Sequence, residues 1–310
     1  MKMLTLDASF ELARVVARAC GVSCLHPNII TFADGENEIR LPDPEYYRDE
    51  HVVIIQSTSP PVNERCMQLA FTIHALKNAG ARTITAIIPY LGYSRHEESA
   101  QFSGMPGEAG VIAGLFEVAG LDRLCTVALH SGDVADFFSV PVVNHKLSAF
   151  IAEHIMGNLA ACGVAGPEQL CLVSPDAGGA DRVRAIAQRI GCSFSVFSKV
   201  RYGPDKTRLE STGVLDRSKT VIIIDDIIDT GGTIVHAADA LHGRGVKTIF
   251  AWAVHPVFSA NALERIDRSC IKSVFVTDSI PCEYSSKKIE VVSIAQVLVT
   301  MLREDGLCTN

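Results

Sequence analysis

The stretch 221–234 constrains the fold of this chain more than any other part of the sequence. It begins with four β-branched residues, 221–224, a run typical of a short, fully buried strand in a parallel sheet. Asp225 and Asp226 follow at once, then Asp229-Thr230-Gly231-Gly232-Thr233, which opens a helix over 234–241. A buried strand that leads through acids and glycines into a helix is typical of α/β proteins, which bind ligands at the carboxyl ends of their strands.

The chemistry of this stretch suits a sugar phosphate. Two glycines can adopt φ > 0 and turn successive N–H groups toward one concavity, where the positive end of the helix dipole adds to their effect. The amides and the Thr230 or Thr233 hydroxyl would hold a 5-phosphate, while Asp225 and Asp226 would accept hydrogen bonds from ribose hydroxyls. The alternative is a solvated acidic strand end before an ordinary capped helix. The stretch is neither a Walker loop nor a dinucleotide fingerprint.

A second segment of the same half repeats this plan. The strand 170–174 is followed by Pro175-Asp176-Ala177-Gly178-Gly179 and a helix. Asp176 is a candidate ligand of a cation or a ribose hydroxyl, and its alternative role is that of a helix cap. Further on, Lys199 and Arg201 stand two residues apart in an extended segment, which sends both cations to one face. Their alternative is a pair of solvated charges before a turn that runs from Pro204 to Gly213.

The first half carries candidates of its own. Residues 29–41 alternate around Asp34-Gly35, which predicts a hairpin. The strand 83–88 leads into Pro89-Tyr90-Leu91-Gly92-Tyr93-Ser94-Arg95, where aromatics beside an arginine can clasp a nucleotide base or simply pack. His130 ends the strand 124–129 and is either a metal ligand or acid–base group, or a hydrogen-bonded structural residue.

The alternation of strands and helices predicts two α/β domains. A chain of 310 residues, 48% hydrophobic, can fill two cores. We expect the domains to span 1–146 and 147–310, with the last helix a candidate to pack back on the first domain. The cleft between two such domains is the natural ligand site.

The composition argues against several classes of partner. A net charge of −7 and a pI near 5.8 disfavour nucleic acid and membrane surfaces. No apolar run approaches the roughly 18 residues that span a bilayer, and the first residues lack the pattern of a signal peptide. The ten cysteines are scattered and form no C-x-x-C motif, which is typical of reduced thiols in a cytoplasmic protein.

Several motifs, in order along the chain, resemble those of the ribose-phosphate diphosphokinase family, also called phosphoribosyl pyrophosphate synthetases. The acid–glycine loop at 225–233 is also similar to that of type I phosphoribosyltransferases. The resemblance extends over 27–300 and rests on Phe32-Ala33-Asp34-Gly35-Glu36, Ile55-Gln56-Ser57-Thr58, Ile88-Pro89-Tyr90-Leu91-Gly92-Tyr93-Ser94-Arg95, Leu129-His130, Val173-Ser174-Pro175-Asp176-Ala177-Gly178-Gly179, Asp225-Asp226-Ile227-Ile228-Asp229-Thr230-Gly231-Gly232-Thr233 and Phe258-Ser259.

This resemblance implies a fold, an activity and a set of site residues. The fold would be two phosphoribosyltransferase-like α/β domains, each a mostly parallel sheet flanked by helices. The activity would be a Mg²⁺-dependent transfer of the diphosphoryl group of ATP to ribose 5-phosphate in nucleotide biosynthesis, by a homo-oligomer built from dimers, up to a hexamer. The implied roles are ATP binding for Phe32, Asp34, Glu36, Arg95 and His96, metal binding for His130 and Asp176, catalysis for Lys199 and Arg201 on a flexible flap, and ribose 5-phosphate binding for Asp225, Asp226, Asp229, Thr230, Gly231, Gly232 and Thr233.

The sequence departs from the family after Arg95. The family has Gln, Asp and a loop rich in Lys and Arg, which helps to bind ATP and, in some members, a regulatory phosphate or nucleotide; this chain has His96-Glu97-Glu98 and the nearly uncharged 99–107. The departure favours one alternative, a non-catalytic paralogue that binds or regulates a synthetase. A phosphoribosyltransferase acting on a base is a further alternative, which the complete first half disfavours.

Overall fold

The computed structural model describes residues 1–95, 107–203, 206–212, 216, 218–281 and 284–308, with the backbone alone for 199–203 and 206–212. The chain divides into two compact units. The first comprises Met1–His145, Asp278–Pro281 and Ser293–Asn310, and the second comprises Lys146–Thr277 and Cys282–Val292. No helix in the described ranges is both long and apolar enough to span a bilayer.

The first unit is built on a six-stranded sheet in which every strand pair is parallel. In sheet order the strands are β2 (Cys24–Leu25), β1 (Lys2–Thr5), β5 (His51–Ile55), β6 (Thr83–Ile88), β7 (Arg123–Val127) and β8 (Val142–His145). The helices of this unit are α1 (Phe10–Ala19), α2 (Val62–Asn78), α3 (Glu108–Ala119) and α8 (Ala295–Glu304). The central strands are rich in β-branched residues because helices cover a parallel sheet on both faces.

The main core of the first unit includes residues of the sheet and of helices α2 and α3. Val52 and Ile54 of β5 share it with Leu69 and Ile73 of α2 and Phe116 of α3, and all five are wholly buried. Leu69 and Ile73 are four residues apart and therefore lie on one face of α2. Burying each such side chain contributes about 1.5–3 kcal/mol, which holds the helices on the sheet.

A separate two-stranded antiparallel hairpin interrupts the first unit. It consists of β3 (Asn28–Thr31) and β4 (Asn37–Arg40), with Thr31 paired to Asn37 at its tip. Gly35 in the turn has φ of 92°. The Asp-Gly turn predicted from the sequence is therefore present.

The second unit contains a seven-stranded sheet. Its order is β11 (Lys206–Thr212), β10 (Ser193–Gly203), β9 (Leu170–Ser174), β12 (Thr220–Ile228), β13 (Ile249–Pro256), β14 (Val274–Thr277) and β15 (Ile289–Val292). Only β11 runs antiparallel to its neighbour. The helices are α4 (Ser148–Gly157), α5 (Ala180–Ile190), α6 (Gly232–Gly243) and α7 (Ala262–Arg268).

Helix α5 shows how the sequence orients an element of this unit. Val183, Ile186 and Ile190 are buried on one face, while Arg184 and Arg189 are exposed on the other. Apolar residues at this spacing form one stripe of a helix that packs on a sheet. The stripe fixes which way the remaining side chains of α5 point.

The predicted α/β fold of two mostly parallel sheets flanked by helices is confirmed. Strand β1 was not predicted, because four residues are too few to display a periodicity. Its Met3 and Leu4 are nevertheless wholly buried between β2 and β5.

Two predictions in the second unit were wrong in detail. The turn predicted from Pro204 to Gly213 contains a strand, since 206–212 pair antiparallel with β10. The strand predicted over 221–224 continues to Ile228, so that Asp225 and Asp226 lie within β12 and not beyond its end. Pairing with β13 continues to Ile228, and this extends the strand past the apolar run.

Candidate functional site

The carboxyl-terminal edge of the second sheet collects most of the predicted polar residues. Strands β10, β9 and β12 are parallel neighbours, so their carboxyl ends lie on one edge. Asp176 follows β9, and the acid pair lies toward the carboxyl end of β12. Lys199 comes three residues after Val196, which pairs with Ser174 at the end of β9. At ~3.3 Å per residue, Lys199 and Arg201 stand on a part of β10 that extends about 10 Å or more beyond β9.

Asp225 and Asp226 are buried, with only 8% and 5% of each residue exposed. Each carboxylate accepts a hydrogen bond from the next backbone N–H: Asp225 Oδ1 from Asp226 at 2.9 Å, and Asp226 Oδ1 from Ile227 at 3.0 Å. Burial raises the pKa of Asp225 to about 8, and the neighbouring charge of Asp226 adds to the rise. Two adjacent carboxylates in such a site require a cation or a proton.

Arg182 supplies that cation, a role that was not predicted from the sequence. Its Nη2 lies 3.1 Å from Asp226 Oδ2 and its Nη1 3.8 Å from Asp225 Oδ1. The guanidinium lowers the pKa of Asp225 against the larger effect of burial. The position of Arg182 in the sequence could have indicated this role. It lies three residues after Gly179, about one helical turn into α5, and so still near the end of β9 where the helix begins.

The loop between β12 and α6 places helix N–H groups at the same edge. Gly231 precedes α6 with φ of 73°, a conformation that favours glycine, and no side chain caps this N-terminus. The first N–H groups of a helix have no partner within the helix and attract anions. Thr230 and Thr233 are exposed beside them. The geometry can bind a phosphate.

This loop is braced from the side of α7. Ser259 Oγ donates to Asp229 Oδ1, and the Ser259 N–H donates to the Asp229 carbonyl at 3.0 Å. Arg265 Nη1 donates to the Thr230 carbonyl at 3.0 Å. Asp229 is therefore engaged in the loop's own structure. The bracing role of Arg265 was not predicted.

The loop that follows β9 is built differently. Asp176 is exposed, and its Oδ1 accepts from the Gly179 N–H at 3.2 Å, while its carbonyl accepts from Ser174 Oγ at 2.7 Å. A Cβ on Gly179 would lie 2.4 Å from Ser174 Oγ, so the loop needs glycine there. Helix α5 begins at Ala180 after Gly179, and no side chain caps its N-terminus, so the capping role considered for Asp176 is wrong. The exposed carboxylate of Asp176 can still accept a cation.

Lys199 and Arg201 lie on β10 with one residue between them, so they share a face of the strand. Lys199 is paired with Leu209 and Arg201 with Thr207 of β11. Their side chains lie outside the described part of the structure. The catalytic role predicted for them stays a prediction.

In the first unit, two predicted residues follow neighbouring strands. Arg95 stands after β6 and His130 after β7, both exposed, at the carboxyl-terminal edge of the sheet. His96 lies outside the described residues.

The hairpin residues Phe32, Asp34 and Glu36 belong to a separate sheet and not to this edge. Asp34 Oδ1 accepts from the Glu36 N–H at 3.1 Å, and Phe32 is 48% exposed. No group of three or more His, Cys, Asp and Glu residues suited to a metal ion occurs in the described part of the chain.

Comparisons with known proteins agree on one family. A family model described as the N-terminal domain of ribose phosphate pyrophosphokinase matches residues 1–120, and one described as a phosphoribosyl synthetase-associated domain matches 205–305. The chain is 38% identical over 302 residues to ribose-phosphate pyrophosphokinase 1 of Streptococcus pyogenes, covering 96% of this chain and 92% of that protein. It is 38% identical over 300 residues to the ribose-phosphate pyrophosphokinase of Thermotoga maritima, with coverage of 96% and 92%. The crystal structure of phosphoribosylpyrophosphate synthetase from Mycobacterium smegmatis is similar, with a TM-score of 0.88, 29% identity and 99% of each chain covered.

Proposed function

This chain belongs to the ribose-phosphate pyrophosphokinase family, and from that premise we propose that it transfers the diphosphoryl group of ATP to the C1 hydroxyl of ribose 5-phosphate. The products are phosphoribosyl diphosphate and AMP. The observation that carries the proposal is the buried Asp225–Asp226 pair beside the uncapped N-terminus of α6. A pentose phosphate presents both the hydroxyl donors and the anion that such an edge would bind.

The second unit would bind the sugar phosphate. The N–H groups at the start of α6 and the Thr230 and Thr233 hydroxyls would hold the 5-phosphate. The carboxyl oxygens of Asp225 and Asp226 would accept hydrogen bonds from the ribose hydroxyls. Asp229 would act through the loop, because Ser259 already engages its carboxylate.

The first unit would bind ATP. The exposed ring of Phe32 offers a stacking surface for adenine, and the carboxylates of Asp34 and Glu36 offer acceptors for its amino group or for the ribose. Arg95 would supply a cation for the phosphates. We extend the ATP role to His96 only because it follows Arg95 directly in the sequence, since the family has Gln at this position.

We propose Mg²⁺ as the metal and His130 and Asp176 as its protein ligands. Mg²⁺ keeps several waters and binds through one or two carboxylates together with substrate phosphates, and the exposed Asp176 is a carboxylate of this kind. When held there, Mg²⁺ would neutralise the charge of the ATP phosphates.

The reaction is an in-line displacement. The C1 oxygen of the sugar forms a bond to the β-phosphorus, the bond from that phosphorus to the α,β-bridging oxygen breaks, AMP departs with the bridging oxygen, and the hydroxyl proton passes to solvent. Phosphoryl transfer of this kind depends on positioning and charge stabilisation more than on covalent chemistry. Lys199 and Arg201 would stabilise the charge that develops on the transferred group and on the leaving oxygen.

The test is an assay with the full-length chain, Mg²⁺, ATP and ribose 5-phosphate, in which AMP is followed by chromatography and the C1 diphosphate by phosphorus NMR. We expect AMP only when the sugar is present. No AMP at any phosphate concentration favours the non-catalytic paralogue, and consumption of phosphoribosyl diphosphate with a free base favours a phosphoribosyltransferase.

A matched pair of variants tests the catalytic lysine. Lys199→Ala should lower turnover on the order of 10²-fold or more, because one charge-stabilising group is lost. Lys247→Ala removes an exposed lysine after α6 and should leave turnover unchanged. Equal turnover of the two variants would contradict the role of Lys199.

We further propose that the chain forms a homo-oligomer built from dimers, up to a hexamer. Helix α3 exposes Val111 by 72% and Val118 by 88%, and α2 exposes Met67 by 38% and Phe71 by 39%. Exposed apolar residues grouped on neighbouring helices are typical of association surfaces. Light scattering should give a multiple of 33.4 kDa, and Val118→Asp should lower that mass.

The free state of the nine cysteines in the described part of the chain supports a reducing compartment, and we propose the cytoplasm.

A further inference from the structure

Arg182 is a partly buried charged residue that none of the steps above uses. Its side chain is 22% exposed, and the carboxylates that it faces are 12% exposed for Asp225 and 7% for Asp226. One guanidinium therefore faces two buried acids on the neighbouring strand. A cation in this position changes the charge balance of the acid pair, unlike a solvated cation on the protein surface.

The two contacts of the guanidinium are unequal. Nη2 lies within hydrogen-bond distance of Asp226 Oδ2, at 3.1 Å. Nη1 is 3.8 Å from Asp225 Oδ1, which is too long for a hydrogen bond. Nη1 is enclosed and has no hydrogen-bond acceptor among the described residues. An unsatisfied buried donor destabilises the folded state and calls for an explanation.

We propose that Arg182 is a positioning residue of the pentose site: it holds Asp226 ionised with one N–H and keeps a second N–H for Asp225, so that both carboxyl groups stay oriented toward the sugar hydroxyls. This inference rests on the proposed function, since it takes ribose 5-phosphate as the ligand of this edge. A movement of less than 1 Å would bring Nη1 into hydrogen-bond range of Asp225.

The reason lies in the hydrogen-bonding roles of a carboxyl group. An ionised carboxylate only accepts, so Asp226 can receive hydrogen bonds from sugar hydroxyls, and Asp225 offers its carbonyl oxygen as a further acceptor. Without the guanidinium, Asp226 is buried with no cation beside it, and it takes a proton and loses acceptor capacity. The planar guanidinium of arginine can donate hydrogen bonds to both acids at once, whereas the compact ammonium of lysine does this less well.

Arg184 provides a matched control on the same helix. It lies two residues further along α5, its side chain is 53% exposed, and it pairs with the exposed Asp181 at 2.9 Å. Solvent-exposed pairs of this kind contribute little. Arg184→Met therefore removes an arginine and an ion pair from α5 without changing the acid pair.

The experiment measures binding and turnover of the full-length chain with Arg182→Met, Arg182→Lys and Arg184→Met. Binding of ribose 5-phosphate and of 2-deoxyribose 5-phosphate is measured by calorimetry without ATP. We expect Arg182→Met to weaken ribose 5-phosphate binding roughly 30-fold or more, since it leaves two buried acids uncompensated. The same substitution should weaken binding of the deoxy sugar clearly less, because this sugar offers one hydroxyl fewer to the acid pair. Arg182→Lys should lie between wild type and Arg182→Met, and Arg184→Met should match wild type.

In turnover, Arg182→Met should raise KM for the sugar far more than it lowers kcat, with KM for ATP unchanged. Equal losses for the two sugars, or a matching rise in KM for ATP, would mean that Arg182 only maintains the fold and would overturn the inference. So would wild-type affinity in Arg182→Met. If Arg182→Met fails to fold by circular dichroism, the same contrast between sugars in Arg182→Lys decides.

The binding measurement separates this inference from the proposed reaction. A wild-type chain that binds ribose 5-phosphate but releases no AMP contradicts the reaction and leaves the binding contrast to decide the role of Arg182. A wild-type chain that does not bind the sugar overturns the inference.

Discussion

The loop after β9 and the loop after β12 both run from a buried strand through an acid and two glycines into a helix, yet their acids lie in opposite environments. Asp176 is exposed and bonds within its own turn. Asp225 and Asp226 are buried inside the strand. The helix that follows the first loop carries Arg182, which faces the acids of the second.

The difference shows that two similar motifs need not do the same work. The first loop satisfies its own polar groups and leaves one carboxylate for solvent or a cation. The second concentrates two buried acids that its own residues do not balance, so it depends on the helix that follows the first loop. Similar sequence motifs therefore form a turn that satisfies its own polar groups after β9, and an acidic site that needs the charge of Arg182 after β12.

The comparison is tested most strongly by substituting one acid from each loop. Asp226→Asn should lower kcat/KM for ribose 5-phosphate roughly 10²–10³-fold, because it removes an acceptor for the sugar and the partner of Arg182. Asp176→Asn should change KM for the sugar by roughly 3-fold at most and should instead alter the dependence on Mg²⁺ concentration. Steady-state kinetics that show the same loss of sugar affinity in both variants would remove the distinction.

The pH dependence of stability should also differ between the loops. The pKa of Asp225 is raised to about 8 from an ordinary value of 3.8, so the folded chain holds that proton more tightly than the unfolded chain. Its contribution to stability is full below about pH 4 and is lost as the pH rises through about 8. Asp225→Asn should therefore gain about 1–3 kcal/mol relative to wild type between pH 5 and pH 8.5.

Thermal unfolding of wild type and Asp225→Asn at a series of pH values measures this gain. An Asp225→Asn curve parallel to wild type would show that Asp225 is not the titrating group.

A smaller effect is expected from glycine in the first loop. Gly179→Ala should destabilise the chain by about 1–2 kcal/mol, because its Cβ displaces the Ser174 hydroxyl from its bond to the Asp176 carbonyl. In the background of Ser174→Ala, the same substitution should cost much less, since the clashing oxygen is gone. Urea unfolding of wild type, the two single variants and the double variant gives the coupling free energy between the two substitutions. Additive effects would show that the added Cβ does not clash with the Ser174 hydroxyl.

The smallest effect concerns the bracing of the second loop. Ser259→Ala removes the hydroxyl bonded to Asp229 and should raise KM for ribose 5-phosphate roughly 2–5-fold, in line with the loss of about 0.5–1 kcal/mol. Ser286→Ala removes a comparable bond to the exposed Asp267 and should leave KM unchanged. An effect as large in Ser286→Ala would show that bracing at Asp229 is not specific to the site.

The sequence revealed the parts of this molecule that depend on local pattern. Apolar runs such as 221–224, followed by glycines and helical spacing, predicted the α/β class, which the structure confirms. The Asp-Gly hairpin followed from turn chemistry. Strand β1 and the strand at 206–212 were missed because pairing with neighbours, and not composition, makes them strands.

The candidate site, like the fold, was predictable from the sequence only where it depends on local pattern. The acid pair was recognised, but its burial was not, because the length of β12 depends on pairing with β13. Arg182 stands 43 residues before Asp225 in the sequence, and only the adjacency of β9 and β12 brings them together. The roles predicted for His130, Asp176, Lys199 and Arg201 stay predictions.

The place of α8 in the first unit has a consequence for how the chain is made. This helix, over Ala295–Glu304, belongs with Met1–His145 although the whole of Lys146–Thr277 is translated in between. Arg123 of β7 bonds to Asp305 just after it, at 2.5 Å. The first unit therefore cannot complete its folding until α8 has been synthesised, after both Lys146–Thr277 and Cys282–Val292 of the second unit.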